Sequence, residues 1–556
     1  MRKNWFKSGA PWIWLNGGAV ALCMIMVFGL LGLIAIRGFG HFWPDQIIYT
    51  TAVDRHGEQH EVLGEVVRSE VISAAVARDN GFEVDGESGI FRRYLFKVGN
   101  RDVSGRDFVW YMQSGMSAWE SPKDAVSIER RAWGDFLGYA HRITEGGALV
   151  SEVGAADFWQ QMDERIDRSL VLHRQLQRLE SRDIGQINHE LDQLRLERRK
   201  LELRGADATE LAAADAEFAL QRAELDARYT LVSDERQGIL QQIQRDTLTV
   251  KTVRGEQVDV PFSQIVRVTR PNNLSVGGKV AQYLERFWEF MTEDPREANT
   301  EGGIFPAIFG TVTMVLVMSI IVTPFGVLAA IYLREYARQG PVLRLIRISV
   351  YNLAGVPSIV YGVFGLGFFV YFLGGHMDRL FYSEALPSPT FGTPGLFWAS
   401  LTLALLTLPV VIVSTEEGLS RIPSSIRQGS LALGATKSET LWKVIIPLAT
   451  PAMMTGLILA VARAAGEVAP LMLVGVVKLA PTLPVDGNAP FLHLDRKIMH
   501  LGFHIYDVGF QSPNVEAARP LVYATALTLV ILILVLNLTA IKIRNSLREK
   551  YRSASD

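Results

Sequence analysis

A chain of 556 residues that is 49% hydrophobic and 21% charged, with a net charge of −2, has room for more than one domain and pairs membrane-like stretches with a large water-exposed part. The lack of a basic excess argues against a nucleic-acid partner, and a single cysteine, Cys23, excludes an intramolecular disulfide. That thiol sits in Val20-Ala21-Leu22-Cys23, without the small residue a lipoprotein site wants before it, and reads as a small hydrophobe against lipid or a neighbouring helix.

Residues 1–16 carry Arg2, Lys3 and Lys7, and Gly17 to Ile36 is a charge-free run long enough to cross a bilayer. A cleaved signal peptide has a shorter apolar core and a small-residue cleavage site, so residues 1–37 are expected to be a cytoplasmic N-terminus and an uncleaved membrane helix. Residues 38–303 hold no spanning segment. Within them, 47–150 and 247–271 alternate apolar and polar residues as strands do, as in Tyr94-Leu95-Phe96-Lys97-Val98. Residues 157–246 instead have a helical period. Leu172, Leu176, Leu179, Ile187, Leu191, Leu194 and Leu201 fit a heptad seam interrupted at Asp183, and Gly205 breaks the pattern. The expectation is an α+β insert: a β subdomain carrying a coiled-coil hairpin.

From 304 to 545 the chain reads as a membrane domain. Apolar runs at 304–332, 349–373, 396–413, 448–477 and 520–541 bring the expected spans to six. The connecting stretches 333–347 (Arg334, Arg338, Arg344, Arg347) and 414–447 (Arg421, Arg427, Lys437, Lys443) are basic, as is the tail with Lys542, Arg544, Arg548, Lys550 and Arg552. The positive-inside rule puts these on the side of the N-terminus. Both termini, including the tail 546–556, are then cytoplasmic, and 38–303 lies outside, in the periplasm of a Gram-negative cell.

No nucleophile–base–acid arrangement stands out, so no catalytic residue is expected. Gly277-Gly278-Lys279-Val280 lacks the upstream glycine and following hydroxyl of a phosphate-binding loop; no cofactor is expected on this chain, and any ATP belongs to another subunit. His56, Glu58, His60 and Glu61 lie in a strand-like region where their spacing does not converge, so no metal site is expected there.

Arg463 and Glu467 stand out because they fall inside an apolar run, four apart and so on one helix face. A charge at membrane depth costs about 2.5–3.5 kcal/mol or more, and persists when paired or facing an aqueous path. They are either an ion pair that fixes packing or part of a translocation path in which Arg463 offers its planar fork to an oxyanion. Gly456, Gly466 and Pro470 permit close approach or a local break. Asn352-Leu353-Ala354-Gly355-Val356-Pro357-Ser358 mixes a polar residue with helix breakers, and is expected to form an irregular turn or line a cavity. Between Pro423 and Pro447 the chain reads as two short helices separated by Gly434, the first capped by Ser424 or Ser425. Such a segment suits transmission of motion from another subunit.

Leu433-Gly434-Ala435, followed by Ile445-Ile446-Pro447, resembles the cytoplasmic EAA loop of ABC-importer permeases. Four further stretches resemble the PstA-type permeases of phosphate-specific importers: Gly302–Ile308, Asn352–Ser358, Thr402–Leu406 leading to Thr415-Glu416-Glu417, and Arg463–Pro470. The resemblance covers roughly 300–545 and the first helix. It implies an α-helical membrane protein with the type I ABC-importer permease fold, working in a bacterial inner membrane among its lipids. It also implies phosphate transport with three partners: a second permease (PstC-type), an ATP-binding dimer (PstB-type) and a periplasmic phosphate-binding protein. By the same resemblance, Arg463, Glu467 and Asn352 belong to the path, and Arg427, Gln428, Gly434, Ala435, Ile446 and Pro447 to the ATPase-coupling loop. Gln428-Gly429-Ser430 departs from the family's Glu-Ala-Ala. The alternatives are a permease for sulfate or molybdate, or a periplasmic adaptor or sensor anchored by its membrane half.

Overall fold

A computed structural model of the protein describes residues 8–54, 57–82, 89–512 and 515–552. The chain divides into two units, Phe42–Gly303 and a second one made of Met1–His41 with Ile304–Asp556. Helix α1, Ala10–Gly40, opens the second unit. It touches the rest of that unit at Gly38, where a Cβ would lie 2.9 Å from the Tyr523 carbonyl oxygen. Cys23 is exposed on this helix.

Among the described residues, the Phe42–Gly303 unit is built on two large antiparallel sheets and a small two-stranded one, Pro295–Arg296 with Glu301–Gly302. The first has the order β1 (Ile47–Val53), β2 (Gln59–Ser73), β3 (Ile90–Lys97), β4 (Phe108–Met112). In the second, β5 (Ala125–Arg130) and β6 (Phe136–Glu145), with β7 (Ala148–Glu152) beside β6, precede the helices in the chain. The strands β8 (Asp246–Lys251), β9 (Gln257–Pro261) and β10 (Ile265–Thr269) follow them. Ile47 and Leu63 of the first sheet pack with Ala125 and Leu137 of the second.

Between β7 and β8 run α2 (Phe158–Arg178), α3 (Gly185–Leu203) and α4 (Ala208–Ile243). Phe158, Met162 and Ile166 root α2 on the second sheet. Above them Leu172 and Leu179 meet Ile239 and Ile243. Ion pairs Arg236–Glu180 at 2.7 Å, Arg228–Glu190 at 3.2 Å and Arg198–Asp215 at 2.7 Å mark an antiparallel pair. Gly205, at φ +74°, makes its turn. The polar interruption expected at Asp183 falls in a π-helical segment, Leu179–Ile184, that joins α2 to α3. Helix α5, Val276–Thr292, capped by the Ser275 hydroxyl, closes the unit.

In the other unit, five further helices among the described residues have the length and hydropathy to cross a membrane. The first is α6, Phe305–Tyr336. After it comes α7, Pro341–Leu353, which is not among them. Then follow α8 (Ser358–Phe381), α9 (Leu396–Ser420) and, after the short α10 (Ser424–Ala432), α11 (Lys437–Gly466). The last, α13 (Val515–Arg552), is preceded by α12 (Leu501–Tyr506). With α1 they make six.

Met314 and Met318 of α6, Leu396 and Leu403 of α9, and Ala460 and Ala464 of α11 share one buried cluster. Glycines set the contact distance: a Cβ at Gly326 would lie 2.6 Å from Val411, and one at Gly456 2.7 Å from Ser414.

Two spans differ from the hydropathy reading. The run 349–373 is not one helix, because α7 ends at Leu353 and α8 starts at Ser358; Pro357 excludes the α conformation from the residue before it. In the run 448–477 the long helix ends at Gly466, with only a short helical turn at Leu471–Val474 beyond it, and the helix reaches back to Lys437, through Pro447 and Pro451. A π-helical turn at Leu441–Ile445 precedes Pro447, which falls in the first turn of the α-helical part, where its missing N–H is tolerated.

Candidate translocation site

Arg463 lies in the last turn of α11, a position where the negative end of the helix dipole favours a cation. Glu467 is not on the same helix face. Its backbone is extended, at φ −79° and ψ 137°, because the helix has ended at Gly466. The Arg463 Nε donates to Glu467 Oε1 at 3.5 Å, a long bond between partly buried side chains. The pair is close without being clamped, so part of the guanidinium fork is left for another acceptor.

Around it, α8 approaches Pro470 so closely that a Cβ at Gly362 would lie 2.7 Å from the Pro470 Cα. A Cβ at Gly365 would lie 2.4 Å from Thr402 Oγ1. Tyr361 on α8 is within electrostatic reach of Arg463 and donates its hydroxyl to the Leu353 carbonyl at 2.6 Å. The predicted irregular turn is therefore tied to α8 by that bond. Asn352 itself stays in α7 with its side chain exposed, and nothing brings it into contact with Arg463.

The histidines beyond α11 do not stand out in the sequence. His500 and His504 are buried, and His500 Nε2 and both ring nitrogens of His504 lack hydrogen-bond partners among the described residues. Burial pushes both imidazoles down to about 4, so they are neutral at ordinary pH. Buried Asp507 pairs with Lys478 at 3.2 Å. Lone histidines in a long polar stretch carry no periodic signal.

The predicted coupling segment is α10, a turn, and the start of α11. Gly434 at φ +87° makes the turn, and Thr436 with Glu439 forms a reciprocal cap at the start of α11. The Ser430 and Thr440 hydroxyls, 2.8 Å apart, tie the two helices together. The predicted serine cap of α10 is not made; Pro423 occupies the cap position.

Arg427 turns inward. It pairs with Glu335 at 2.9 Å and donates to the Leu419 and Ile422 carbonyls at 2.8 and 2.7 Å. It thus satisfies carbonyls left open at the end of α9. Gln428 and Gly434 are exposed, while Ala435, Ile446 and Pro447 are half-buried. Leu433 at 90% exposed and Trp442 at 58% are the most uncovered of the large apolar groups in this segment, with Leu431 and Ile426 also exposed.

In the other unit, ligand atoms of Asp54, Glu58 and His60 lie within 4.8 Å of one another, contrary to the sequence expectation. A tight turn, with Asp54 N–H donating to the Glu58 carbonyl at 2.9 Å, folds the chain back so that the spacing does converge. His60 Nε2 is 3.1 Å from Asp54 Oδ2. His56 lies outside the described residues, and Glu61 accepts instead from the Tyr49 hydroxyl at 3.0 Å.

Residues 322–549 match the family described as the binding-protein-dependent transport system inner membrane component. The phosphate transport system permease protein PstA of Mycobacterium leprae is 37% identical over 239 residues, which are 43% of this chain and 69% of that protein. PstA 1 of Mycobacterium tuberculosis is 35% identical over 245 residues, 44% of this chain and 71% of the relative. The probable PstA of Methanocaldococcus jannaschii is 30% identical over 239 residues, 42% and 73% of the two chains.

Proposed function

The chain belongs to the PstA-type permeases of binding-protein-dependent ABC importers, and from that premise we propose that it carries inorganic phosphate across the bacterial inner membrane. It is a multi-pass permease subunit and not an enzyme; in an importer of this fold a partner permease shares the membrane and ATP is hydrolysed on separate subunits. In our reading the partners are a PstC-type permease, a PstB-type ATPase dimer and a periplasmic phosphate-binding protein. Both termini are then cytoplasmic, and Phe42–Gly303 is periplasmic.

The observation that carries the reading is Arg463 at the end of α11, held at 3.5 Å by Glu467. A guanidinium at membrane depth with unused donors offers a tetrahedral oxyanion two parallel hydrogen bonds. Glu467 competes for the same donors. It keeps the arginine oriented in the empty path and weakens the hold on a passing anion, so that phosphate is not trapped. The basic segment around Arg427 then relays motion: α10 is bonded at once to the end of α6 through Glu335 and to the end of α9 through Leu419 and Ile422. A push on α10 therefore moves two spans together.

The test is uptake of radiolabelled phosphate by cells lacking their own high-affinity importer, with the three partners coexpressed. Uptake that excess sulfate and molybdate leave unchanged supports the reading. Uptake abolished by either competitor reassigns the substrate to another oxyanion.

A further inference from the structure

Helix α5 leaves a whole apolar stripe uncovered, whereas a helix on a water-exposed domain usually turns its apolar stripe to the core. Val276, Val280, Leu284 and Trp288 recur every fourth residue and are 75%, 44%, 59% and 68% exposed. The side turned into the domain carries Phe290 and Gln282, both buried, and Glu289, which takes a hydrogen bond from Arg267 at 2.5 Å. Glu285, at the edge of the exposed stripe, is drawn back toward the same arginine at 3.4 Å. The outward face is thus an apolar ridge about 18 Å long.

The aromatic residues beside it show where the ridge lies. Phe42 packs edge-on against Tyr283, Phe287 and Phe290, with ring centroids 5.9, 5.3 and 5.2 Å apart. Trp43 lies 6.3 Å from Tyr283 and is half-exposed. Phe42 follows the last residue of α1, Gly40, by two positions, so the chain itself keeps it within about 7 Å of the end of a membrane span. The part of α5 that packs on Phe42, Tyr283 to Phe290, is thereby tethered by the chain close to where it leaves that span. Trp43, Tyr283 and Trp288 are also the residue types that collect at membrane–water boundaries.

We propose that α5 is an interfacial helix, its Val276–Val280–Leu284–Trp288 ridge sunk into the headgroup–acyl boundary of the bilayer. Such helices bury their apolar face about 5–10 Å deep. The arrangement gives the Phe42–Gly303 unit a lipid contact of its own. It is independent of which anion the permease carries.

The test places a nitroxide at position 280, 284 or 288 of the full chain (Val280→Cys, Leu284→Cys, Trp288→Cys, each with Cys23→Ser) in nanodiscs of phosphatidylethanolamine and phosphatidylglycerol. Leu220→Cys on the exposed hairpin is the aqueous control. The expected result is several-fold greater collision with oxygen than with a water-soluble nickel chelate at all three ridge positions, and the reverse at 220. Nickel access at 284 and 288 equal to that at 220 overturns the proposal. So does a ridge that is wet in nanodiscs and shielded from both reagents only when the partner permease is added, since the cover is then protein. Without labels, bromine-bearing phospholipids should quench the native chain more than Trp288→Phe; equal quenching also overturns it.

Discussion

Replacing Arg427 by alanine tests how the coupling segment is held. The guanidinium makes three bonds, to the Glu335 carboxylate at 2.9 Å and to the Leu419 and Ile422 carbonyls at 2.8 and 2.7 Å, with roughly a fifth of its side chain exposed. A buried charge-assisted bond contributes about 1.5–3 kcal/mol. Partial exposure and the water that replaces the lost donor reduce the sum, so the expected loss is on the order of 3 kcal/mol.

That energy acts locally, on the attachment of α10 to the ends of α6 and α9, and corresponds to about a hundredfold more frequent opening. Hydrogen exchange on the full chain in nanodiscs should therefore speed up by about that factor in Ser424–Ala432, with little change in the middle of α9. Glu335→Gln keeps an acceptor and should show a much smaller effect. If exchange in Ser424–Ala432 is unchanged in Arg427→Ala, the three bonds do not hold the segment and the relay described above fails.

Glu65 gives a pH dependence whose sign is fixed. Burial raises its carboxyl from 4.5 to about 7, against the pull of nearby Lys97. The folded state therefore binds the proton more tightly, and the contribution is fully present below about 4.5 and lost as pH rises through about 7. Glu65→Gln should remove a decline of at most about 3 kcal/mol across that window, read as thermal unfolding of the Phe42–Gly303 unit; an unchanged pH profile contradicts the assignment. Gly362→Ala should cost about 1–3 kcal/mol, because the new methyl meets Pro470 Cα at 2.7 Å; a thermal midpoint in detergent equal to that of the native chain refutes that packing. Shortening the hairpin by removing 188–229 should leave the strands of the second sheet as protected from exchange as before, since Phe158, Met162 and Ile166 root it below the cut. The ion pairs lost with it are exposed and worth little; general loss of protection in β5–β10 refutes this.

The spans and the insert were legible because hydropathy and period are properties of neighbouring residues. The 349–373 run misled because Leu353, Ala354 and Val356 keep a hydropathy window high across a helix break that Pro357 announces in stereochemical terms. Arg463 was legible as a charge in an apolar run, but its relation to Glu467 depends on the helix ending at Gly466, which a spacing of four does not reveal. The inward bond of Arg427 to Glu335 is not legible in the sequence because the two lie far apart in the chain. The convergence of Asp54, Glu58 and His60 likewise needed the turn between β1 and β2. The ridge of α5 was present as apolar residues every fourth position. Phe287 and Phe290 also mark the opposite, inward side of that helix, and only their packing on Phe42 separates the two faces.

The central claim is that Arg463 meets the transported anion, and the direct measurement is phosphate uptake by Arg463→Gln beside the native chain, with assembly of the complex in the membrane quantified for both. If Arg463 meets the anion, Arg463→Gln assembles normally, still supports ATP hydrolysis by its partners, and takes up little or no phosphate. Uptake by an assembled Arg463→Gln complex at the native rate would contradict it and leave the Arg463–Glu467 pair as a packing element.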